Sequence, residues 1–100
     1  MFEKDIERYL RESIKQAGGE CLKWVSPGTA GVPDRIVICP DGRIVFVELK
    51  RPFEKPRPVQ RAVLRRLYHL RCRVVVMDNR KSVEGFIPVS YTHLTLPTKA

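Results

Sequence analysis

A chain of 100 residues, 43% hydrophobic and 30% charged, holds enough sequence for one small domain with a single core. No run of about 18 apolar residues is present, which excludes a transmembrane helix, and the start MFEKDIERYL lacks the parts of a secretory signal, so a cytoplasmic protein is expected. The net charge of +8 is localised: residues 43–73 carry ten Lys or Arg against Glu48 and Glu54, while the remainder holds nine of each sign, so a polyanion such as nucleic acid is the expected partner and a merely solvated basic face the alternative.

In chain order, residues 3–17 predict a helix, because Ile6, Tyr9, Leu10, Ile14 and Ala17 recur at helical spacing and Gly18-Gly19 stops the element. CLKWV (21–25) reads as a first strand, and the Pro- and Gly-rich SPGTAGVP (26–33) as a loop that delivers Asp34 to a second strand, residues 35–39. Pro40-Asp41-Gly42 is a turn: Pro fixes φ, Asp bonds its own backbone and Gly accepts positive φ. Residues 43–49 return as a third strand, RPFEKPRP (51–58) is a loop, and Pro58 opens a second helix running to about residue 70. VVVM (74–77) is a buried type of strand, residues 81–87 allow a short helix that Gly85 weakens, and the tail 88–100 shows no period and is expected to be poorly ordered. The order α-β-β-β-α-β implies an α/β domain over residues 1–87 around a mixed sheet. Cys21, Cys39 and Cys72 are scattered and odd in number, which suits thiols in a reducing compartment better than a disulfide or zinc site.

The second and third strands are apolar except for three charges, Asp34, Glu48 and Lys50. Glu48 and Lys50 share a strand face, about 6.6 Å apart. If Pro40-Asp41-Gly42 forms a three-residue loop with a bulge at Gly42, Cys39 opposes Arg43 and Asp34 opposes Glu48, Cβ atoms about 5 Å apart. A two-residue Asp41-Gly42 loop would send Asp34 to the other face. Two carboxylates that close repel unless a cation intervenes, and a hard dication such as Mg²⁺ takes one or two carboxylates while keeping positions for water and phosphate. Lys50 then stands within reach of a phosphate oxygen. These are the parts of phosphodiester hydrolysis; an exposed strand face with a Glu48–Lys50 ion pair is the plainer alternative.

Two more polar residues lie on apolar stripes. Glu3 falls on the arc of Ile6, Leu10 and Ile14, with Glu7 at its edge; a carboxylate there is costly unless paired, although an acid in a first helical turn is favourable anyway. Gln60 shares the arc of Val59, Val63 and Leu67, where a buried amide needs partners, unless it only caps the helix start. Lys23 alternates with Leu22 and Trp24 and is expected to face the same cleft as a nucleic-acid contact. Arg51, Lys55 and Arg57, on the loop directly after Lys50, are the stronger phosphate candidates.

Pro33-Asp34, a strand-turn spacer, and Glu48-Leu49-Lys50 resemble the PD-(D/E)xK nuclease signature. The longer run SPGTAGVPDRIVICPDGRIVFVELKRP, with Gln60 opening the next helix, is similar to the VRR-NUC branch of that superfamily, whose small stand-alone members resemble Holliday-junction resolvases. The resemblance spans about residues 3–87. It implies a restriction-endonuclease-like αβββαβ core, Mg²⁺ or Mn²⁺, cleavage of DNA with a preference for branched structures, and a homodimer without membrane attachment. Asp34, Glu48 and Glu3 would ligate the metal together with the Leu49 carbonyl, while Lys50 and Gln60 complete the catalytic set. A nuclease of flapped, nicked or linear DNA, and a nucleic-acid-binding module with a dead site, are the alternatives. Two departures stand out: Arg71 occupies the C′ position where relatives usually have Gly, so that corner is expected to be rebuilt, and the tail does not resemble the family's closing helix.

Overall fold

The computed structural model describes residues 2–86. The first helix, α1 (Glu3–Gln16), starts where the Phe2 amide donates to the Asp5 carboxylate at 3.2 Å, satisfying a donor that the helix cannot use. Its Ile6, Leu10 and Ile14 recur every four residues and are fully buried. It ends in a Schellman turn: the Gly18 amide bonds the Lys15 carbonyl and the Gly19 amide that of Ile14, with Gly18 at φ +91°.

Three strands follow as an antiparallel meander, β1 (Glu20–Lys23), β2 (Arg35–Ile38) and β3 (Ile44–Leu49). The helix α2 (Pro58–His69) then crosses over to β4 (Arg73–Met77), which pairs parallel to β3, as a parallel neighbour requires. Spatial order equals chain order, β1-β2-β3-β4, and residues 80–86 add a third helical segment, α3. The expected αβββαβ core and mixed sheet are therefore present, with element ends shifted by a residue or two. Residues 87–100, and with them the expectation of a poorly ordered tail, lie outside the described residues. Among the described residues no helix is long and apolar enough to cross a membrane.

The β2–β3 hairpin has the register that the turn chemistry favours. Cys39 and Arg43 face each other across a 2.8 Å hydrogen bond, the Gly42 amide bonds the Cys39 carbonyl, and Gly42 sits at φ +91°. Arg35 pairs with Val47, so one further step down the strands brings Asp34 opposite Glu48.

Alternation then sorts the sheet into two faces. Val37, Cys39, Val45, Val47, Leu49 and Met77 point to α1 and, with Ile6, Leu10, Ile14 and Val83, make the core. On the other face Leu22, Ile36, Phe46 and Val74 form one row across all four strands, partly covered by α2. Trp24 stacks obliquely on Phe46 there, ring centroids 5.2 Å apart. Each fully buried aliphatic side chain contributes about 1.5–3 kcal/mol, so the face under α1 dominates stability.

At the end of α2 the expectation fails in an informative way. The Cys72 amide bonds the Leu67 carbonyl and the Arg71 amide that of Tyr68, the same Schellman pattern as after α1. Arg71 adopts φ +67° in place of glycine. The corner is kept and not rebuilt, because two backbone hydrogen bonds outweigh a left-handed penalty of about 1 kcal/mol.

Candidate active site

Along β3 the alternation of buried and accessible residues breaks at its C-terminal end, where Glu48, Leu49 and Lys50 are all buried. Leu49 fills the core, while Glu48 faces the opposite side, toward the N-terminus of α2. Its carboxylate is 1% exposed. The Lys50 ammonium lies 3.3 Å from Oε2 as an ion pair without hydrogen-bond alignment, and Oε1 has no hydrogen-bond partner among the described residues. Burial first, then the neighbouring Asp34, push the Glu48 carboxyl up to about 7, against the opposing influence of Lys50.

Asp34 is held from two sides. Its carbonyl accepts from the Trp24 amide at 3.0 Å, and its Oδ2 accepts from the Leu49 amide at 2.8 Å. The aspartate is thus tied to the backbone between Glu48 and Lys50, which fixes the Asp34 carboxylate beside Glu48 before any ligand arrives.

Glu3 joins them from the first turn of α1. Its carboxyl is raised by burial and then by Asp34, which places its charge beside the pair. Glu7, one turn on, lies elsewhere: it accepts from the buried Arg35 at 3.0 Å, and Arg35 also donates to the Cys21 carbonyl at 3.3 Å. Of the two candidate carboxylates on α1, Glu3 is the one in the cleft.

From the other side come α2 and its leading loop. Gln60 is 8% exposed, and its Oε1 accepts from the Arg57 amide at 2.8 Å. Capping and cleft lining are therefore the same residue's work. With one lone pair of Oε1 taken by the Arg57 amide, the Gln60 amide donors are left to serve a ligand, which suits a phosphate oxygen. Gly31 makes this approach possible: at φ +85°, a Cβ there would come within 2.8 Å of the Val59 carbonyl.

Together Glu3, Asp34, Glu48, Lys50, Arg51, Glu54, Lys55, Arg57 and Gln60 line one cleft of about 440 Å³. The first turns of both α1 and α2 open onto it, and their positive dipole ends favour an anionic cluster. Lys23 is not among these residues. It is exposed, and its pairing with Arg35 puts it on the α1 face of the sheet, away from Glu48. Its alternation with Leu22 and Trp24 was legible, but which face it took depended on the β1–β2 register, and an eleven-residue gap (24–34) hides that register from the sequence. Sequence reasoning also passed over Arg35 and Glu54. Arg35 signals itself only as a cation on a strand position that alternation assigns to the core.

Among the described residues no three His, Cys, Asp or Glu side chains are gathered into a closed metal cage. What the cleft offers is a carboxylate pair, Asp34 and Glu48, with Glu3 beside it and both Glu48 oxygens lacking a hydrogen-bond partner among the described residues. That donor set fits a hard dication that uses one or two carboxylates and leaves its other positions to water and phosphate.

No protein-family model matches the chain. It is 46% identical over 78 residues to a phage protein described as "Putative nuclease p44", from Acyrthosiphon pisum secondary endosymbiont phage 1, covering 78% of this chain and 84% of that protein. A solved structure of a VRR_NUC domain superposes with a TM-score of 0.82 at 33% identity, covering 86% of this chain and 94% of the other.

Proposed function

The chain belongs to the VRR-NUC family, and from that premise we propose that it is a divalent-metal-dependent endodeoxyribonuclease that prefers branched DNA and acts as a homodimer. The observation that carries the reading is the Glu48 carboxylate. It is buried without hydrogen bonds, beside a second carboxylate and a buried lysine, in a cleft whose rim is cationic. A carboxylate so placed costs stability unless a cation neutralises it.

Asp34 and Glu48, with the Leu49 carbonyl, would hold the ion, and Glu3 would add its charge beside them from the first turn of α1. When bound there, Mg²⁺ or Mn²⁺ would supply Lewis acidity and a more acidic water. The protein's own groups do the rest. Lys50, 8% exposed and fixed by its backbone bond to Met77 at 2.9 Å, sets a positive charge against the phosphoryl oxygens. Gln60 donates its amide to the same group, and Arg51, Lys55 and Arg57 hold flanking phosphates. Hydrolysis adds a water oxygen to phosphorus and breaks one ester bond, and the leaving oxygen takes up a proton. The cleft itself carries four acidic and four basic side chains, so its formal charge is near zero without an ion and favours a polyanion once a dication binds.

The test is cleavage of a labelled four-way junction beside flap and linear duplex DNA, with wild type and Lys50→Ala, in Mg²⁺, Mn²⁺ and EDTA. Metal-dependent cutting, strongest on the junction and lost in Lys50→Ala, is expected. Tight binding without cutting in either metal would overturn the enzymatic reading. Equal cutting of all three substrates would remove the preference for branches and leave the nuclease.

A further inference from the structure

Three residues beyond Lys50, the loop that rims the cleft presents Phe53 to solvent, 99% exposed. Its backbone is left-handed, φ +67°, a conformation that costs free energy for any residue with a Cβ. The turn is fixed: the Glu54 amide bonds the Arg51 carbonyl at 3.0 Å, and the Glu54 carboxylate takes the Arg51 amide at 3.5 Å and guanidinium at 3.4 Å. Pro52 and Pro56 stiffen it further. A strained, braced turn thus holds up a ring that contributes nothing to the core.

The neighbours of Phe53 state what chemistry its ring would meet. Arg51, Glu54, Lys55 and Arg57 all line the same cleft as Asp34, Glu48 and Lys50, so the turn that carries the ring borders that cleft, between residues that line it on both sides in the chain. Guanidinium and ammonium groups hold a phosphodiester backbone. What that backbone offers next to each phosphate is a nucleobase, whose flat π-face matches an exposed aromatic. Inside intact duplex both faces of a base are already stacked. Only an unstacked base, at a branch point, flap or frayed end, has a face to give.

We propose that Phe53 is a base-stacking residue that receives an unstacked nucleobase next to the phosphate bound in the cleft, and so selects branched over linear DNA. This rests on the nuclease reading for the identity of the ligand. It adds the element that discriminates between DNA structures, which none of the groups in the cleft supplies, since phosphates are alike in every structure.

The experiment places 2-aminopurine at successive branch-point positions of a four-way junction and at matching positions of a linear duplex. Fluorescence and affinity are read in EDTA, and cleavage of the same DNAs in Mg²⁺, for wild type, Phe53→Ala and Phe53→Trp. Because the ring touches nothing in the fold, Phe53→Ala should keep the wild-type thermal midpoint. Wild type should change the 2-aminopurine signal at a branch-point position. Phe53→Ala should lose that change and weaken junction binding about 10- to 100-fold with duplex binding within about twofold. Phe53→Trp should restore both, with its indole emission quenched on the junction. Unchanged junction binding in Phe53→Ala, or an equal loss on junction and duplex, overturns the proposal even if wild type cuts DNA. Conversely, a Phe53-dependent junction signal from a wild type that cuts nothing in Mg²⁺ upholds the stacking role and refutes the nuclease reading. Absence of DNA binding by wild type refutes both.

Discussion

Glu48 is the residue at which structure and function pull against each other most directly. Its carboxyl is raised from the ordinary glutamate value of 4.5 to about 7 in the folded protein, by burial and then by Asp34. Glu3 is shifted in the same direction by the same two causes. In the unfolded chain both return to ordinary values, so the folded state binds protons more tightly than the unfolded one. Stability from these groups is therefore complete below about pH 4.5 and declines as pH rises toward 7, by on the order of 1–3 kcal/mol for Glu48. In EDTA the thermal midpoint should fall between pH 5 and 8, and Glu48→Gln should flatten that slope. At pH 8, Mg²⁺ or Mn²⁺ should raise the wild-type midpoint, because an ion that binds only the folded protein stabilises it. A midpoint indifferent to both ions would argue against a metal site regardless of any activity assay. Glu48 and Lys50 were legible in the sequence because charges interrupt a strand that is otherwise Ile, Val, Phe and Leu. The double duty of Gln60 was not: cap and cleft wall read as rival explanations until the geometry made them one.

At the scale of elements, the two helices end alike with different residues. Gly18 at φ +91° closes α1, and Arg71 at φ +67° closes α2, each with the same pair of backbone hydrogen bonds. Arginine pays a steric penalty there that glycine does not, so Arg71→Gly should stabilise the protein by about 1 kcal/mol, raising the thermal midpoint by several degrees in a chain of this size. Activity should be unchanged, since Arg71 is no part of the cleft. A lower midpoint would mean that the arginine side chain contributes more than its backbone strain removes. Nothing local to HLRCRV predicts that the motif survives without glycine, because propensity does not report the hydrogen bonds that a following strand enforces. The hairpin was the opposite case. Pro40-Asp41-Gly42 carries its own geometry, and the register it set put Asp34 opposite Glu48 with no help from tertiary contacts. Loop 26–33 carried no such information, since the need for Gly31 arises from the Val59 carbonyl of a helix that begins 27 residues later.

For the whole molecule, the two faces of the sheet are filled unequally. Under α1 the core is closed, with Ile6, Leu10, Val37, Val47, Met77 and Val83 fully buried. Across the other face run Leu22, Ile36, Phe46 and Val74, of which Leu22 remains 44% exposed, and nearby Leu70 is 75% exposed at the end of α2. Leu67 and Leu70 line a groove with Trp24, Val32 and Val63 on that side. Exposed leucines beside a groove of this kind suit a second copy of the chain, which a two-fold symmetric contact would cover with the same surface from both partners. Two cleavage sites related by that symmetry would also answer the two strands of a junction. At tens of micromolar, sedimentation velocity should give twice the chain mass of 11.6 kDa. Leu70→Asp should return it to the monomer mass while leaving the midpoint in dilute solution within about 1 °C, since Leu70 is exposed and supports no core contact. A wild type that sediments at the monomer mass at that concentration would refute the dimer.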